Sequence, residues 1–349
     1  MKSSEKMKLF MGVLVCLLVS LCPTFAGENL IIDGKYLRDT EEVTVIANST
    51  KVVGVDDTHN YVGTFPKERV VTLSPYSIGK YPVTQELYQA VLNDVKVNYQ
   101  GVDAPLDSIP SFCTENNEAF KKNASDIQEL RPVEGVTWFD AVYFCNLLSK
   151  KTGYSEAYKI TIKKLKEKHI VDADVTIIPG SKGYRLPTEA EWEFAARGGD
   201  QNAKDWNFVF SGADTINGIN YGSARNVGLD NVGWYMFNAG NEGFTKRDTE
   251  EDAPGYSSHM VGRKNPNRLG IYDMSGNVWE WCYDQYSPIK TSEVQDPVGP
   301  ETTQQVVGNR VRRGGSWSNG ASYSSVSYRY FQLASKRERT IGFRVVRSL

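Results

Sequence analysis

The sequence predicts an α+β protein with small antiparallel sheets, a few capped helices and a loop-rich second half. Residues 27–80 hold short apolar runs separated by turn residues, which is typical of strands. Threonines suited to cap helices stand before amphipathic segments in the middle of the chain. Residues 200–349 are rich in Gly, Asn and aromatic side chains, a composition typical of loops and short strands around buried Trp residues.

The first half begins with strands and continues into a helix. Thr84 is expected to cap that helix, and the apolar side chains that follow recur on one helical face. Residues 95–132 are polar and contain prolines, so we expect a long loop there. The predicted strands are Leu30–Ile32, Val43–Ile46 and Val70–Leu73.

Two further helices carry a capping box. Thr137 with Asp140 forms a variant of this motif, and Thr188 with Glu191 forms its usual version. Between these helices, residues 155–182 are expected to form a strand pair with one lysine-rich, solvated face.

The N-terminus has the pattern of an export signal. Three lysines precede an apolar run over residues 9–21, and small residues follow up to Ala26. We therefore predict a signal peptide over residues 1–26 and a chain that is exported, either secreted or periplasmic. The alternative is a lipoprotein signal over residues 1–21, which would leave a lipid anchor on Cys22 at the cell surface or outer membrane.

The composition excludes several classes of function. The formal net charge is −2, so binding to a nucleic-acid backbone has no electrostatic support. The three histidines are scattered, without the spacing of a histidine-built metal site. Beyond the leader the cysteines make no disulfide framework, although one pair among them is compatible with the count; they are Cys113, Cys145 and Cys282.

Four motifs appear in order along the chain: Gly183–Gly199, Leu269–Trp281, Arg313–Trp317 and Gly342–Arg344. Together they resemble the formylglycine-generating-enzyme, or sulfatase-modifying-factor, family. The resemblance implies one C-type-lectin-like domain over residues 52–349, with two main helices and a small sheet that joins the chain ends. Residues 27–51 are then expected to supply additional N-terminal strands.

The resemblance does not extend to the family's oxidative chemistry. The oxidases of the family bind copper(I) through two cysteines just after the Gly-Gly-Ser-aromatic motif, and thiolates are the ligands that this soft ion prefers. The matching positions here are Asn319 and Ser324. We therefore expect no catalytic residues and no required cofactor.

The family also suggests a structural calcium site. The matching positions on this chain provide two side chains and two backbone carbonyls, the oxygen ligands that calcium prefers. The alternative is a metal-free turn in which the same carboxylates accept hydrogen bonds from the backbone. The four positions are Asp273, Gly276, Val278 and Glu280.

Residues 318–333 have the composition of a binding surface. Nine of these sixteen residues are Ser, Tyr or Phe, whereas the flanking residues match the family. Tyrosine offers a large contact area at a small entropic cost, and serine offers adaptable hydrogen bonds.

The arrangement resembles the variable proteins of diversity-generating retroelements, in which the adenines of a template copy are randomised. The resemblance places a variable segment at residues 313–344, with fixed residues that include Ala321, Arg329 and Arg337. AAY codons cannot become Gln, Lys or Glu codons, so either Gln332 is fixed or the register of the variable positions shifts near it, and Lys336 and Glu338 likewise cannot arise from AAY codons. Nine positions are predicted to vary: Ser318, Asn319, Gly320, Ser322, Tyr323, Tyr328, Tyr330, Phe331 and Leu333.

These patterns favour an exported, noncatalytic protein whose lectin-like face binds a ligand. The ligand is expected to be a protein or another cell-surface molecule that differs between versions of the chain, and the membrane is expected to be a partner only through an anchor on Cys22. A noncatalytic accessory or maturation role within the family is the alternative, and an unrecognised enzyme is the third hypothesis.

Overall fold

The computed structural model describes residues 28–46, 51–54, 63–117, 125–214, 225–240, 256–300 and 308–349. The predicted leader, with its two cleavage sites and Cys22, lies outside these residues. In the described part of the chain no helix is long and apolar enough to cross a bilayer.

Strands near both ends of the chain form one four-stranded antiparallel sheet, which confirms the sheet that joins the termini. Its strands lie in the order Tyr184–Arg185, Val346–Ser348, Tyr76–Gly79 and Glu42–Val45. The predicted strand at Val43–Ile46 is therefore an edge of this sheet rather than a separate extension. The N-terminal strands are β1 (Ile31–Ile32), β2 (Lys35–Tyr36), β3 (Glu42–Val45), β4 (Lys51–Val53), β5 (Val70–Thr72) and β6 (Tyr76–Gly79).

The central part of the chain contains three α-helices, two antiparallel strand pairs and one further strand. These are α1 (Gln85–Leu92), β7 (Lys96–Tyr99), β8 (Val102–Pro105), α2 (Trp138–Lys151), β9 (Tyr158–Lys166), β10 (His169–Ile177), β11 (Tyr184–Arg185) and α3 (Glu189–Ala196). Strands β9 and β10 form the predicted strand pair, with its lysine face exposed.

The remaining elements are short. They are α4 (Val227–Val232), β12 (Trp279–Gln285), β13 (Glu293–Gln295), β14 (Asn309–Arg313), β15 (Tyr330–Leu333), β16 (Ile341–Gly342) and β17 (Val346–Ser348). A second four-stranded sheet has the order β15-β14-β12-β16, so β15 is one of its edges.

The predicted helix caps are confirmed. The Thr137 hydroxyl accepts from the Asp140 amide at 2.9 Å, and the Asp140 carboxylate accepts from the Thr137 amide at 3.1 Å. Thr188 and Glu191 make the same reciprocal pair. These contacts satisfy backbone donors that a helix N-terminus leaves free, which is why the sequence marks the start of α2 and α3 so clearly.

The long loop expected over residues 95–132 is wrong in part. Strands β7 and β8 form a hairpin there, and a short 3-10 helix spans Gln128–Leu130. Gln100 and Gly101 link the two strands with φ angles of 53° and 79°. Such a two-residue turn usually reads Asn-Gly or Asp-Gly, so Gln at its first position concealed the hairpin.

The motif at Gly342–Arg344 closes the core between the two main helices. Tyr88 of α1 stacks on Phe144 of α2, with ring centroids 5.2 Å apart, and Phe343 packs edge-on against Phe144 at the same distance. Cys145 and Trp281 are both fully buried. The three cysteines of the described residues are buried free thiols.

Candidate functional site

Residues 318–333, the predicted binding surface, follow a tightly constrained turn after β14. Gly314 and Gly315 have φ angles of 92° and 72°, a conformation that favours glycine. A Cβ atom on Gly315 would lie 2.9 Å from the backbone nitrogen of Ser324. The segment then continues as a 3-10 helix over Ala321–Ser324 and ends in the edge strand β15. The turn therefore holds this segment close against the neighbouring parts of the domain. These supporting residues are called the frame, and the side chains predicted to vary are called the face.

Most of the nine residues predicted to vary reach the surface. Tyr323, Tyr330 and Leu333 are 37%, 39% and 41% exposed. The partly exposed members of the set are Ser318, Asn319, Ser322, Tyr328 and Phe331, whereas Gly320 is buried.

An aromatic cluster occupies the middle of this surface. The rings of Tyr323, Tyr328 and Tyr330 lie 6.3, 6.1 and 6.0 Å from the ring of Trp279, which is only 2% exposed. Phe331 stacks beside Tyr330 at 5.4 Å. The tyrosines therefore form an outer layer over a buried tryptophan.

A fixed polar group borders the cluster. The guanidinium of Arg312 lies 4.8 Å from the ring centre of Trp279 and 5.0 Å from that of Tyr330. Arg312 also pairs with Glu338 at 2.8 Å, and the Gln332 side chain donates to the same carboxylate. Two residues that adenine randomisation cannot produce, Gln332 and Glu338, thus hold the strand to the following turn.

Asn319 has a different environment from most residues of the predicted face. Its side-chain oxygen accepts from the Trp279 indole at 2.8 Å and from the Ser316 hydroxyl at 2.6 Å. Its backbone oxygen accepts from the amide of Met236 at 3.0 Å. Asn319 therefore connects three parts of the frame.

Buried ion pairs support the segment from below. Arg329 donates to both oxygens of Glu189, at 2.6 and 2.7 Å, and Arg313 donates to Glu189 and to Glu193. Burial alone would raise the pKa of Glu193, but the charges of Arg197 and Arg313 outweigh it and lower the pKa to about 2.

Sequence reasoning did not identify the two glutamates, and periodicity could not have identified them. Every residue of α3 is buried, so the helix lacks the polar face that would distinguish a functional acid from a solvated one.

Asn319 and Ser324, which the resemblance predicts to match the family's copper ligands, carry no thiol. Asn319 binds the frame, and the hydroxyl of Ser324 is buried without a hydrogen-bond partner. The nearest thiol in sequence is Cys282, where burial raises the pKa well above its usual value. The part of the chain that the structure describes holds no group of three or more His, Cys, Asp or Glu side chains placed to bind a metal ion.

The two carboxylates predicted to bind calcium, Glu280 and Asp273, have protein partners. Both oxygens of Glu280 accept from Arg344, at 2.6 and 2.7 Å, and one also accepts from the Trp192 indole at 2.7 Å. Asp273 accepts from the Gly262 amide at 2.8 Å, and burial raises its pKa to about 6. A carboxylate already neutralised by an arginine is a poor calcium ligand. This donor arrangement favours the metal-free turn, and the calcium ion stays a prediction.

Comparison with known proteins places this geometry in a family. The model of the sulfatase-modifying factor enzyme 1-like domain matches residues 30–349. A chaperone protein, LppX, of Paenibacillus barcinonensis is 33% identical over 300 residues, which cover 80% of this chain and 83% of that protein. The formylglycine-generating enzyme of Streptomyces coelicolor is 34% identical over 181 residues, about half of each protein.

The solved structures confirm the predicted C-type-lectin-like fold. Treponema denticola variable protein 1 is 29% identical with a TM-score of 0.64, and the match covers 92% of this chain and 99% of that one. CarF is 23% identical with a TM-score of 0.55, over 89% of this chain and 98% of CarF, a likeness that shows the fold alone.

Proposed function

The chain belongs to the sulfatase-modifying factor enzyme 1-like family, and we propose that within this family it is an exported, noncatalytic ligand-binding protein. In this proposal a diversity-generating retroelement diversifies its C-terminal face, residues 318–333. One observation carries the proposal: an exposed aromatic layer rests on a frame held by buried ion pairs. The likeness to a variable protein over nearly the whole chain supports the same conclusion.

The frame and the face use different interactions. Arg313 and Arg329 are bound by Glu189 beneath the segment, and neither arginine is among the positions expected to vary. The exposed side chains of Tyr323 and Tyr330 instead contact other side chains of the same layer and Trp279. Exchange of the outer side chains therefore leaves the charged network intact, as a scaffold for diversification requires.

The geometry narrows the set of positions that are free to vary. Asn319 accepts two side-chain hydrogen bonds from the frame and Gly320 is buried, so we assign both to the frame. The binding face then consists of seven residues with tyrosines at its centre, where interface hot spots concentrate. They are Ser318, Ser322, Tyr323, Tyr328, Tyr330, Phe331 and Leu333.

The absence of an oxidase activity is part of the proposal. An asparagine and a serine stand where the oxidases of the family have their copper-binding cysteines. We expect no oxidation of a thiol peptide by the purified protein, with or without added copper.

The DNA beside the gene tests the proposed diversification directly. We expect a near-copy of codons 313–344 that differs almost only at adenines, together with a reverse-transcriptase reading frame. The absence of both from the complete genome would contradict diversification.

A second function is favoured by one comparison. The relative described as a chaperone protein is similar over most of its length, which supports an accessory role in the maturation of another protein. The two functions differ in one measurable respect. An accessory protein would retain a single partner after Tyr323 and Tyr330 are both changed to Ser, whereas a diversified binder would lose its ligand. Lys163→Ser, on the exposed side of β9, is the matched control.

A further inference from the structure

Trp279 lies one layer below the proposed binding face. Its ring is almost fully buried, and the three rings nearest to it on the face belong to Tyr323, Tyr328 and Tyr330. Two of these tyrosines are more than one third exposed. Side chains of residues expected to vary, together with the guanidinium of Arg312, therefore cover this tryptophan on that side.

The position of Trp279 does not depend on those tyrosines. Its indole donates to Asn319, and its backbone amide donates to the carbonyl of Thr340 at 2.7 Å. Arg312 lies over its ring and is itself held by Glu338. Loss of a tyrosine side chain from the outer layer would leave the tryptophan in place.

Tyr328 occupies the centre of the cluster. Its ring lies 5.0 Å from that of Tyr323, 6.1 Å from that of Tyr330 and 6.1 Å from that of Trp279. Aromatic rings thus border Tyr328 on three sides, and the residue is only partly exposed. Removal of this side chain alone would leave a ring-sized cavity with aromatic walls and an aromatic floor.

We propose that Trp279, Tyr323 and Tyr330 form a binding pocket for an aromatic side chain, and that Tyr328 fills this pocket in the present chain. In a version that keeps tyrosines at 323 and 330 and has a small residue at 328, the ring of a tyrosine from a protein partner takes the place of Tyr328. Use of the pocket by a natural ligand rests on the proposed function, whereas its existence rests on packing alone.

The surroundings select a neutral ring over a cation. Arg312 already lies over the rings of both Trp279 and Tyr330, so a second cation would have to approach this positive charge at close range. Preformed aromatic cavities bind small apolar molecules that match their shape. The chemical class is therefore a phenol or benzene ring on a short apolar stem.

The test uses p-cresol, which is the side chain of tyrosine as a free molecule, with the full chain carrying Tyr328→Ala. We expect p-cresol to raise the Tm of this variant by about 3 °C at ten times its Kd, through binding to the folded state alone. The unaltered protein, whose pocket is filled, should respond by less than about 1 °C. Tyr36→Ala, at an exposed tyrosine of β2, is the matched control and should not respond either. Cyclohexanol should be markedly weaker than p-cresol.

An equal response of all three proteins to p-cresol, or no response of the Tyr328→Ala protein, would overturn the pocket. If that variant does not fold, Tyr328→Val answers the question with the same readout, because it also removes the ring that lies between Tyr323, Tyr330 and Trp279. Failure here leaves the proposed diversification intact, since the gene-adjacent template tests that separately. Conversely, absence of the template would not alter the response to p-cresol.

Discussion

Asn319→Ala separates the frame from the face within the predicted variable set. The substitution removes the acceptor of the Trp279 indole and of the Ser316 hydroxyl, so two donors lose their partner. The indole belongs to a residue that is 2% exposed, and water cannot readily replace the lost acceptor. An unsatisfied buried donor costs about 1–3 kcal/mol. We therefore expect a loss of about 2 kcal/mol, which lowers the Tm by about 4 °C.

Ser318→Ala is the matched control for this prediction. Ser318 stands next in the chain and was predicted to vary on the same grounds, but its hydroxyl has only a 3.5 Å contact with the hydroxyl of Ser316. Its removal should cost less than about 0.5 kcal/mol. Asn319→Asp keeps an acceptor at the same place and should recover at least half of the loss.

Differential scanning fluorimetry of the purified variants, with urea unfolding as a second method, measures these differences. The decisive comparison is between neighbours, because both variants share the same expression, buffer and unfolded chain. A Tm for Asn319→Ala within about 1 °C of that for Ser318→Ala would refute the assignment of Asn319 to the frame.

Three further predictions concern buried carboxylates. Glu189→Ala removes the carboxylate partner of Arg329 and leaves Arg313 paired with Glu193 alone, and it should cost about 3–5 kcal/mol, seen as a large fall in Tm or in soluble yield; a fall of under 1 °C would contradict the network. Burial raises the pKa of Glu134 to about 7, so its contribution to stability is full below pH 4.5 and is lost as the pH rises through 7; Glu134→Gln should flatten the Tm profile between pH 5 and 8, whereas the exposed Asp103→Asn should not. Because Glu280 is paired with Arg344, millimolar calcium or EDTA should leave the Tm unchanged, and a calcium-dependent rise would restore the predicted site.

Features encoded by neighbouring residues were predictable from the sequence. The capping boxes at Thr137 and Thr188 depend on residues three positions apart, and the structure contains both. The strand pair over residues 155–182 follows from alternation along the chain, and it is present as β9 and β10. The four family motifs predicted the fold, because they occur in the expected order along the chain.

Features that join distant residues were not predictable. Arg329 pairs with Glu189, 140 positions away, and no local pattern links the two. Asn319 has a polar side chain typical of a surface residue, yet it supports the frame by accepting a hydrogen bond from the indole of Trp279, 40 positions earlier. A one-dimensional pattern gives periodicity and spacing, whereas the frame of this face is defined by contacts that only the fold creates.

The central claim is that exchangeable side chains rest on an invariant frame. Two libraries built with the same AAY-derived codons test this most directly. One randomises four of the seven face residues, Ser322, Tyr323, Tyr328 and Tyr330, and the other randomises Asn319, Gly320 and the buried Ser324 and Ser325. Thermal challenge followed by capture of folded protein gives the folded fraction of each library. We predict that most face variants stay folded while most frame variants do not. Equal loss of folding in the two libraries would contradict the account.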